Sequence, residues 1–164
     1  MLEPDCYFET VFDIDYARLW GMGVRGLIFD IDNTLAGYAD ESPSAETAAL
    51  LGRLAGMGFR LCLLTNNTGR RLSSFNRELG LPGFAGALKP LPGGVRKAMR
   101  AMGVESGQAA IIGDQLFTDV WAGRISGVFT VLVKPVTQKD FALVKIKRLF
   151  ERLMLRRFFA NLEK

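Results

Sequence analysis

Short apolar runs alternate along the chain with stretches whose apolar positions recur at three- and four-residue spacing. This alternation predicts βαβ units. Strands are expected near residues 25–31 (RGLIFDI), 59–64 (FRLCLL), 109–112 (AAII) and 129–133 (FTVLV). A first helix is expected to open at Ser42-Pro43, a capping hydroxyl followed by a tolerated proline, to bury Leu50, Leu51, Leu54 and Met57, and to stop at Gly58. Further helices are expected over roughly 69–79 and 93–102, ended by glycine-containing turns, and after the acidic turn at 114–119. Strands alternating with helices in this way give an α/β fold with a doubly wound parallel sheet.

No internal repeat, low-complexity run or Gly/Ser/Pro linker divides the sequence, so residues 1–164 are read as one domain. Residues 1–24 are expected to form an extension packed on the core. Tyr7, Phe8, Val11, Phe12 and Ile14 cover part of that core, and DYARLWGMG forms a short helix before the first strand.

Composition narrows the chemistry. The hydrophobic fraction is 49% and no apolar run approaches bilayer length. The N-terminus carries acids where a signal peptide would carry basic residues, so a cytoplasmic location is expected. Cys6 and Cys62 show no metal-type spacing, and Cys62 sits in an apolar run where a buried thiol is expected. The chain contains no histidine. That removes phosphohistidine chemistry, serine–histidine dyads and imidazole-held zinc, leaving carboxylates, lysine and hydroxyls. The net charge of +4 is uneven: residues 134–164 hold 9 Lys/Arg against 3 Asp/Glu, whereas residues 1–133 hold 12 against 14.

The segment LIFDIDNTL places two carboxylates at the end of a predicted strand, where burial without compensation would be costly. In open parallel sheets, ligands bind beyond the carboxyl ends of the strands. There the first strand supplies Asp30, Asp32 and Thr34, the second Thr65, Asn66 and Asn67, and the third Gly113-Asp114-Gln115 with Asp119 one turn on. Lys89 lies in the loop before the third helix. Taken singly, each has a plain structural reading: a helix-capping acid, a polar turn, a surface lysine, a first-turn acid facing a helix dipole. Their order, each following a predicted strand, favours one shared site. Such a set suits a phosphate and Mg²⁺, which prefers oxygen ligands and keeps several waters. One ionised aspartate could attack phosphorus in line while the second serves as general acid and base.

The four segments DIDNT, LLTNN, KP and GDQLFTD resemble the ordered motifs of the haloacid dehalogenase-like phosphatases over residues 25–135. The resemblance implies a Rossmann-like core, with Asp30 as nucleophile and Asp32 as general acid/base. It also implies that Asp32 lends its main-chain carbonyl to Mg²⁺. Thr65 and Asn66 match the phosphate-binding motif and Lys89 the charge-balancing lysine. Asp114 matches the metal-binding acid, supported by Asp119, and Thr34 steadies the nucleophile loop. The N-terminal lead-in, the GDQLFTDVWAGRISGVFTVLVKP stretch and the terminal KIKRLFERLMLR resemble the YqeG-like members of subclass IIIA, a subgroup that includes phosphatidylglycerophosphate phosphatases. That resemblance implies a lipid head-group phosphate as candidate substrate. Arg124 departs from the asparagine expected in AGRISG, outside the four motifs.

Neither the span between Thr34 and the first helix nor that between Asn67 and Lys89 is long enough for a separate lid, so no substantial cap domain is expected and the site is open. An open site suits a phosphate presented by something large. Residues 138–164 read as a basic amphipathic helix with two apolar stripes. One stripe can dock on the domain. The second, among many Lys/Arg, suggests peripheral attachment to an anionic membrane at its inner face; the competing reading buries both stripes in the fold or in an oligomer interface. Nucleotides, sugar phosphates and nucleic-acid 3′-phosphates are alternative substrates, although nucleic acid is disfavoured because no recognition motif accompanies the basic residues. A phospho-accepting signalling module would use similar groups, but in a different motif order.

Overall fold

The computed structural model describes residues 2–137. The expected helix over 138–164 lies outside the described residues, as does any role for it in membrane or oligomer contacts.

Six parallel strands form one sheet in the order β1-β6-β5-β2-β3-β4. They are β1 (Cys6–Phe8), β2 (Gly26–Phe29), β3 (Arg60–Leu64), β4 (Gly83–Phe84), β5 (Ala109–Gly113) and β6 (Phe129–Val133). Helices α1 (Tyr16–Gly21), α2 (Ala45–Gly56), α3 (Gly69–Asn76), α4 (Gly93–Met102) and α5 (Trp121–Ser126) connect them. This is the expected doubly wound α/β architecture.

The central strand β2 is buried along its whole length because each face is covered. Leu27 and Phe29 pack with Leu50, Leu51, Leu54 and Phe75 from α2 and α3. Ile28, one residue out of phase, packs with Cys62, Val95, Ala98 and Ala122 on the α4/α5 side. Burial of both faces explains why these strands read as continuous apolar runs rather than alternating ones.

Several local expectations are corrected. Helix α2 starts at Ala45 with Ser44 as its cap, the Ser44 hydroxyl accepting from the Thr47 N–H at 3.1 Å; Ser42-Pro43 precede it in the loop. Met57 is 43% exposed, because it follows the last turn of α2 and has left the buried stripe. Phe12 is 39% exposed rather than covering the core, while Val11 and Ile14 are buried as expected. Residues 6–8 are more than a covering extension: they add an edge strand to β6, with Cys6 opposite Val131. Arg124 fastens that edge, pairing with Asp5 at 2.9 Å and donating to the Glu3 carbonyl, so the residue that departs from the resemblance serves this edge and not the acidic site.

Between Thr34 and α2 there is only a loop, and between β3 and β4 only α3; among the described residues no folded cap stands over the strand ends. Nor is any described helix long and apolar enough to cross a membrane.

Candidate active site

Beyond Phe29 the chain makes one more ladder bond, from the Asp30 N–H to the Ile112 carbonyl at 2.9 Å, and then folds into a tight loop. The Ile31 carbonyl accepts from the N–H groups of Thr34, Leu35 and Ala36 at 3.0–3.3 Å, and Asn33 takes a left-handed conformation with φ 64°. Asparagine is among the residues that tolerate that region, which accounts for DIDNT at this turn. The result holds Asp30 and Asp32 on the sheet rim, each only 6% exposed, in different surroundings.

Asp30 faces β5 and the Lys89 loop. One oxygen accepts from the Lys89 ammonium at 2.7 Å and the other lies 3.3 Å from the Thr34 hydroxyl, which also stands 3.5 Å from Asp114. The same ammonium donates to Asp119 at 2.6 Å and to the Leu64 carbonyl at 2.9 Å, so all three of its hydrogens are engaged. Asn66 fixes the lysine from behind: its amide oxygen accepts the Lys89 N–H at 2.7 Å, and its NH₂ donates to the Lys89 carbonyl at 3.0 Å.

Asp119 is carried back over the end of β5 by a π-helical turn at Leu116–Val120, where its second oxygen accepts the Gln115 N–H at 3.2 Å. That fold-back requires glycine at 113, since a Cβ there would lie 2.2 Å from the Asp119 carboxyl carbon.

Three buried carboxylates, Asp30, Asp114 and Asp119, thus each offer an oxygen within 4.8 Å of the others, and two of them, Asp30 and Asp119, share one buried ammonium. With all four groups ionised the cluster carries an excess of two negative charges. Burial foremost, reinforced by Asp119 and Asp32 and opposed by Lys89, pushes Asp30 up to about 7. The two carboxylates overcome the effect of burial on Lys89 and raise it, so the lysine remains charged. An oxygen-only donor set with uncompensated negative charge fits a hard divalent cation.

Asp32 faces α3 instead. One oxygen pairs with Nε of Arg71 at 2.9 Å; the other accepts from the Asn67 amide at 3.1 Å and stands 3.4 Å from the Thr65 hydroxyl. Arg71 also donates to the carbonyls of Gly37 and Asp40, tying the loop after Asp32 to the start of α3. Here charge is balanced one to one.

The sequence-derived residues therefore fall into two groups. Asp30, Thr34, Lys89, Asp114 and Asp119 form one cluster, whereas Asp32 and Thr65 meet beside it; the Asn66 side chain bonds to the backbone of Lys89. The Asp32 carboxylate stands with Arg71, outside the three-carboxylate group. Arg71 was not anticipated, because Arg70-Arg71 in a helical stretch reads as solvated charge. The available signal was Thr68, whose hydroxyl caps α3 and so returns position 71, in the first turn, to the strand rim.

A groove of about 870 Å³ adjoins this loop, lined by Val11, Phe12, Thr34, Leu35, Pro43 and Val136 among others.

Comparison with known proteins finds relatives in sequence and in fold. The family model for haloacid dehalogenase-like hydrolases matches residues 35–127. The chain is 32% identical to the probable phosphatase YqeG of Bacillus subtilis, across 93% of this chain and 88% of that protein. It is 31% identical to a chloroplastic phosphatidylglycerophosphate phosphatase 1 of Chlamydomonas reinhardtii, across 90% of this chain but 59% of that longer protein. Among solved structures, the cobalt-bound deoxy-D-mannose-octulosonate 8-phosphate phosphatase YrbI of Haemophilus influenzae shares the fold, with a TM-score of 0.56 and 20% identity over 68% of this chain and 69% of that one.

Proposed function

This chain belongs to the haloacid dehalogenase-like hydrolase family as one of its phosphatases, and we propose that it hydrolyses a phosphomonoester borne on a lipid head group through an aspartyl-phosphate at Asp30. The observation that carries the chemistry is the Lys89 ammonium, shared at 2.6–2.7 Å between Asp119 and Asp30. Lys89 neutralises charge where phosphate must approach a carboxylate, and Asn66 keeps it there. A lone pair on one carboxylate oxygen of an ionised Asp30 attacks phosphorus in line, forming the P–O bond to Asp30 as the bond to the leaving oxygen breaks. Asp32 gives its proton to that oxygen. It then removes a proton from water, which attacks phosphorus, breaks the bond to Asp30 and restores the carboxylate.

Asp30, Asp114 and Asp119 would hold Mg²⁺, with the Asp32 main-chain carbonyl and Thr34 beside them. The ion, when bound, would offset the clustered negative charge and lessen the repulsion between the phosphate and the Asp30 carboxylate.

Support for a lipid-borne phosphate comes from the similarity to a phosphatidylglycerophosphate phosphatase over 90% of this chain and from strand ends over which the described residues place no folded cap. Nucleotides, sugar phosphates and nucleic-acid 3′-phosphates share the reacting group and are the competing substrates. The test measures phosphate release from phosphatidylglycerophosphate, a nucleotide, a sugar phosphate and an aryl phosphate, with and without Mg²⁺. Release is expected to require Mg²⁺, to favour the lipid and to vanish in Asp30→Asn; wild-type turnover by that variant would refute the nucleophile assignment.

A further inference from the structure

Large exposed apolar side chains are not spread evenly over the described residues. Of the nine, Phe12, Tyr38, Leu88, Leu91 and Val136 lie on the segments following β1, β2, β4 and β6, and two, Met22 and Met57, lie on loops leading into strands. Because every strand is parallel, the first five share the edge that bears the acidic site. Strand order sets Phe12 at the β1 end, Tyr38 beyond β2, and Leu88 and Leu91 at the β4 end, while the chain after β6 crosses to the β2 loop and sets Val136 beside Asn33. Five inter-strand spacings separate the two ends, roughly 24 Å. The carboxylates of β2 and β5 lie between them.

Leu88 makes the arrangement hard to dismiss as chance exposure. Its φ of 55° is left-handed, which is unfavourable for a residue with a side chain, and the leucine is 68% exposed. Glycine would hold this backbone without that strain. The neighbouring Lys89 is clamped by Asn66, so the loop presents Leu88 outward beside the charge-balancing lysine.

The chain also leaves the described residues from this same edge. The Val136 N–H donates to the Asn33 carbonyl at 2.9 Å and the Thr137 hydroxyl to the Asn33 side chain at 2.6 Å, on the loop that carries Asp30 and Asp32. The 27 residues that follow hold 8 Lys/Arg against 3 Asp/Glu. Apolar side chains bracketing the site, followed by a strongly basic stretch starting at the same place, match the two components of an anionic bilayer surface: acyl boundary and charged head groups.

We infer that the carboxyl-edge rim of Phe12, Tyr38, Leu88, Leu91 and Val136 docks on an anionic lipid surface with the acidic site facing it. The inference rests on the reading that the substrate phosphate is carried by a lipid. Docking of this kind brings an embedded head group to Asp30 without extraction of the lipid into a closed pocket.

The test uses the full chain and vesicles of phosphatidylglycerol in phosphatidylcholine, which contain no phosphomonoester, so that docking is read apart from catalysis. Wild type is expected to co-sediment at about 0.1 M salt and to release at high salt. The triple substitution Phe12→Ser, Leu91→Ser, Val136→Ser should weaken binding at least tenfold. It should also slow hydrolysis of vesicle-borne substrate by a similar factor while aryl phosphate turnover stays within about twofold. Failure of wild type to bind overturns the inference. So does unchanged or tighter binding by the variant, which would show that the basic remainder of the chain binds alone, or that it or a second copy covers the rim. An equal loss of aryl phosphate turnover also overturns it, by placing the rim in the fold of the site. Docking without hydrolysis of any phospholipid would refute the substrate reading and leave the surface standing.

Discussion

Asp30 and Asp32 are two residues apart and equally buried, yet the two sides of their loop solve the burial of charge differently. On the β5 side, three carboxylates cluster, two of them share one lysine, and negative charge is left over. On the α3 side, one carboxylate meets one guanidinium and neutral donors from Thr65 and Asn67. The excess on the first side is what a bound divalent cation would offset. Balance on the second leaves Asp32 held in place by hydrogen bonds, outside the three-carboxylate group. A spacing of two residues suffices because the tight turn at Asn33 sends the two side chains toward different neighbours.

The largest expected effect tests the crowded side. Asp30→Asn should lower turnover at least about 10⁴-fold for every substrate, irrespective of leaving group. Because the substitution removes one of the crowding carboxylates, the metal-free variant should melt no lower than wild type, as thermal scans in chelator will show. A large drop in melting temperature would mean that the Asp30–Lys89 pair, not relief of repulsion, dominates this side.

On the balanced side the loss should depend on the leaving group. Asp32→Asn should cost about 10²–10⁴-fold with an alkyl phosphate, whose leaving oxygen needs a proton, and much less with an activated aryl phosphate. Equal losses with both would assign Asp32 a structural role only.

Arg71→Met extends that comparison outward. A hydrogen bond to a charged group contributes about 1.5–3 kcal/mol, so a loss of about 10- to 100-fold is expected with the alkyl phosphate, partly restored by Arg71→Lys. KM should change little, since Arg71 meets Asp32 and the loop carbonyls rather than the Lys89 cluster. A rise in KM at constant kcat would place Arg71 on the substrate instead.

The smallest effect concerns pH. In metal-free protein the folded value of Asp30, raised to about 7, exceeds its ordinary value of 3.8. The folded state therefore binds more protons between those limits, and the stability contributed by this group is lost as pH rises through them. The stability difference between wild type and Asp30→Asn should shift against wild type from pH 4 to pH 7, and Mg²⁺ should erase the trend by taking the place of the proton. A difference independent of pH would indicate that Lys89 keeps Asp30 ionised throughout.

Much of the molecule was legible before any coordinates. The four long strands are apolar runs buried on both faces, a signal that survives without context, and the polar residues ending them had to share an edge once the strands were parallel. Strands β1 and β4 were not legible, because three or two residues carry no periodicity and become strands only when β6 or β3 offers a free edge. Phe12 and Met57 misled for a related reason: an apolar residue beside a buried stripe looks buried until the last turn or the loop path is known. Arg71 was hidden, and Asn67 was placed at the rim without its role, because a partner on another segment, Asp32, defines what both do.

Composition and order alone settled which atoms were available: carboxylates, one well-placed lysine, hydroxyls and amides, with histidine absent, on loops that a parallel sheet must gather at one rim. Only tertiary structure decided how charge is divided there, giving Asp30 a surplus of negative neighbours and Asp32 a matched cation. Local sequence specifies backbone turns and buried faces through near-neighbour forces, whereas electrostatic environment depends on distances between segments far apart in the chain, and those exist only after the sheet is assembled.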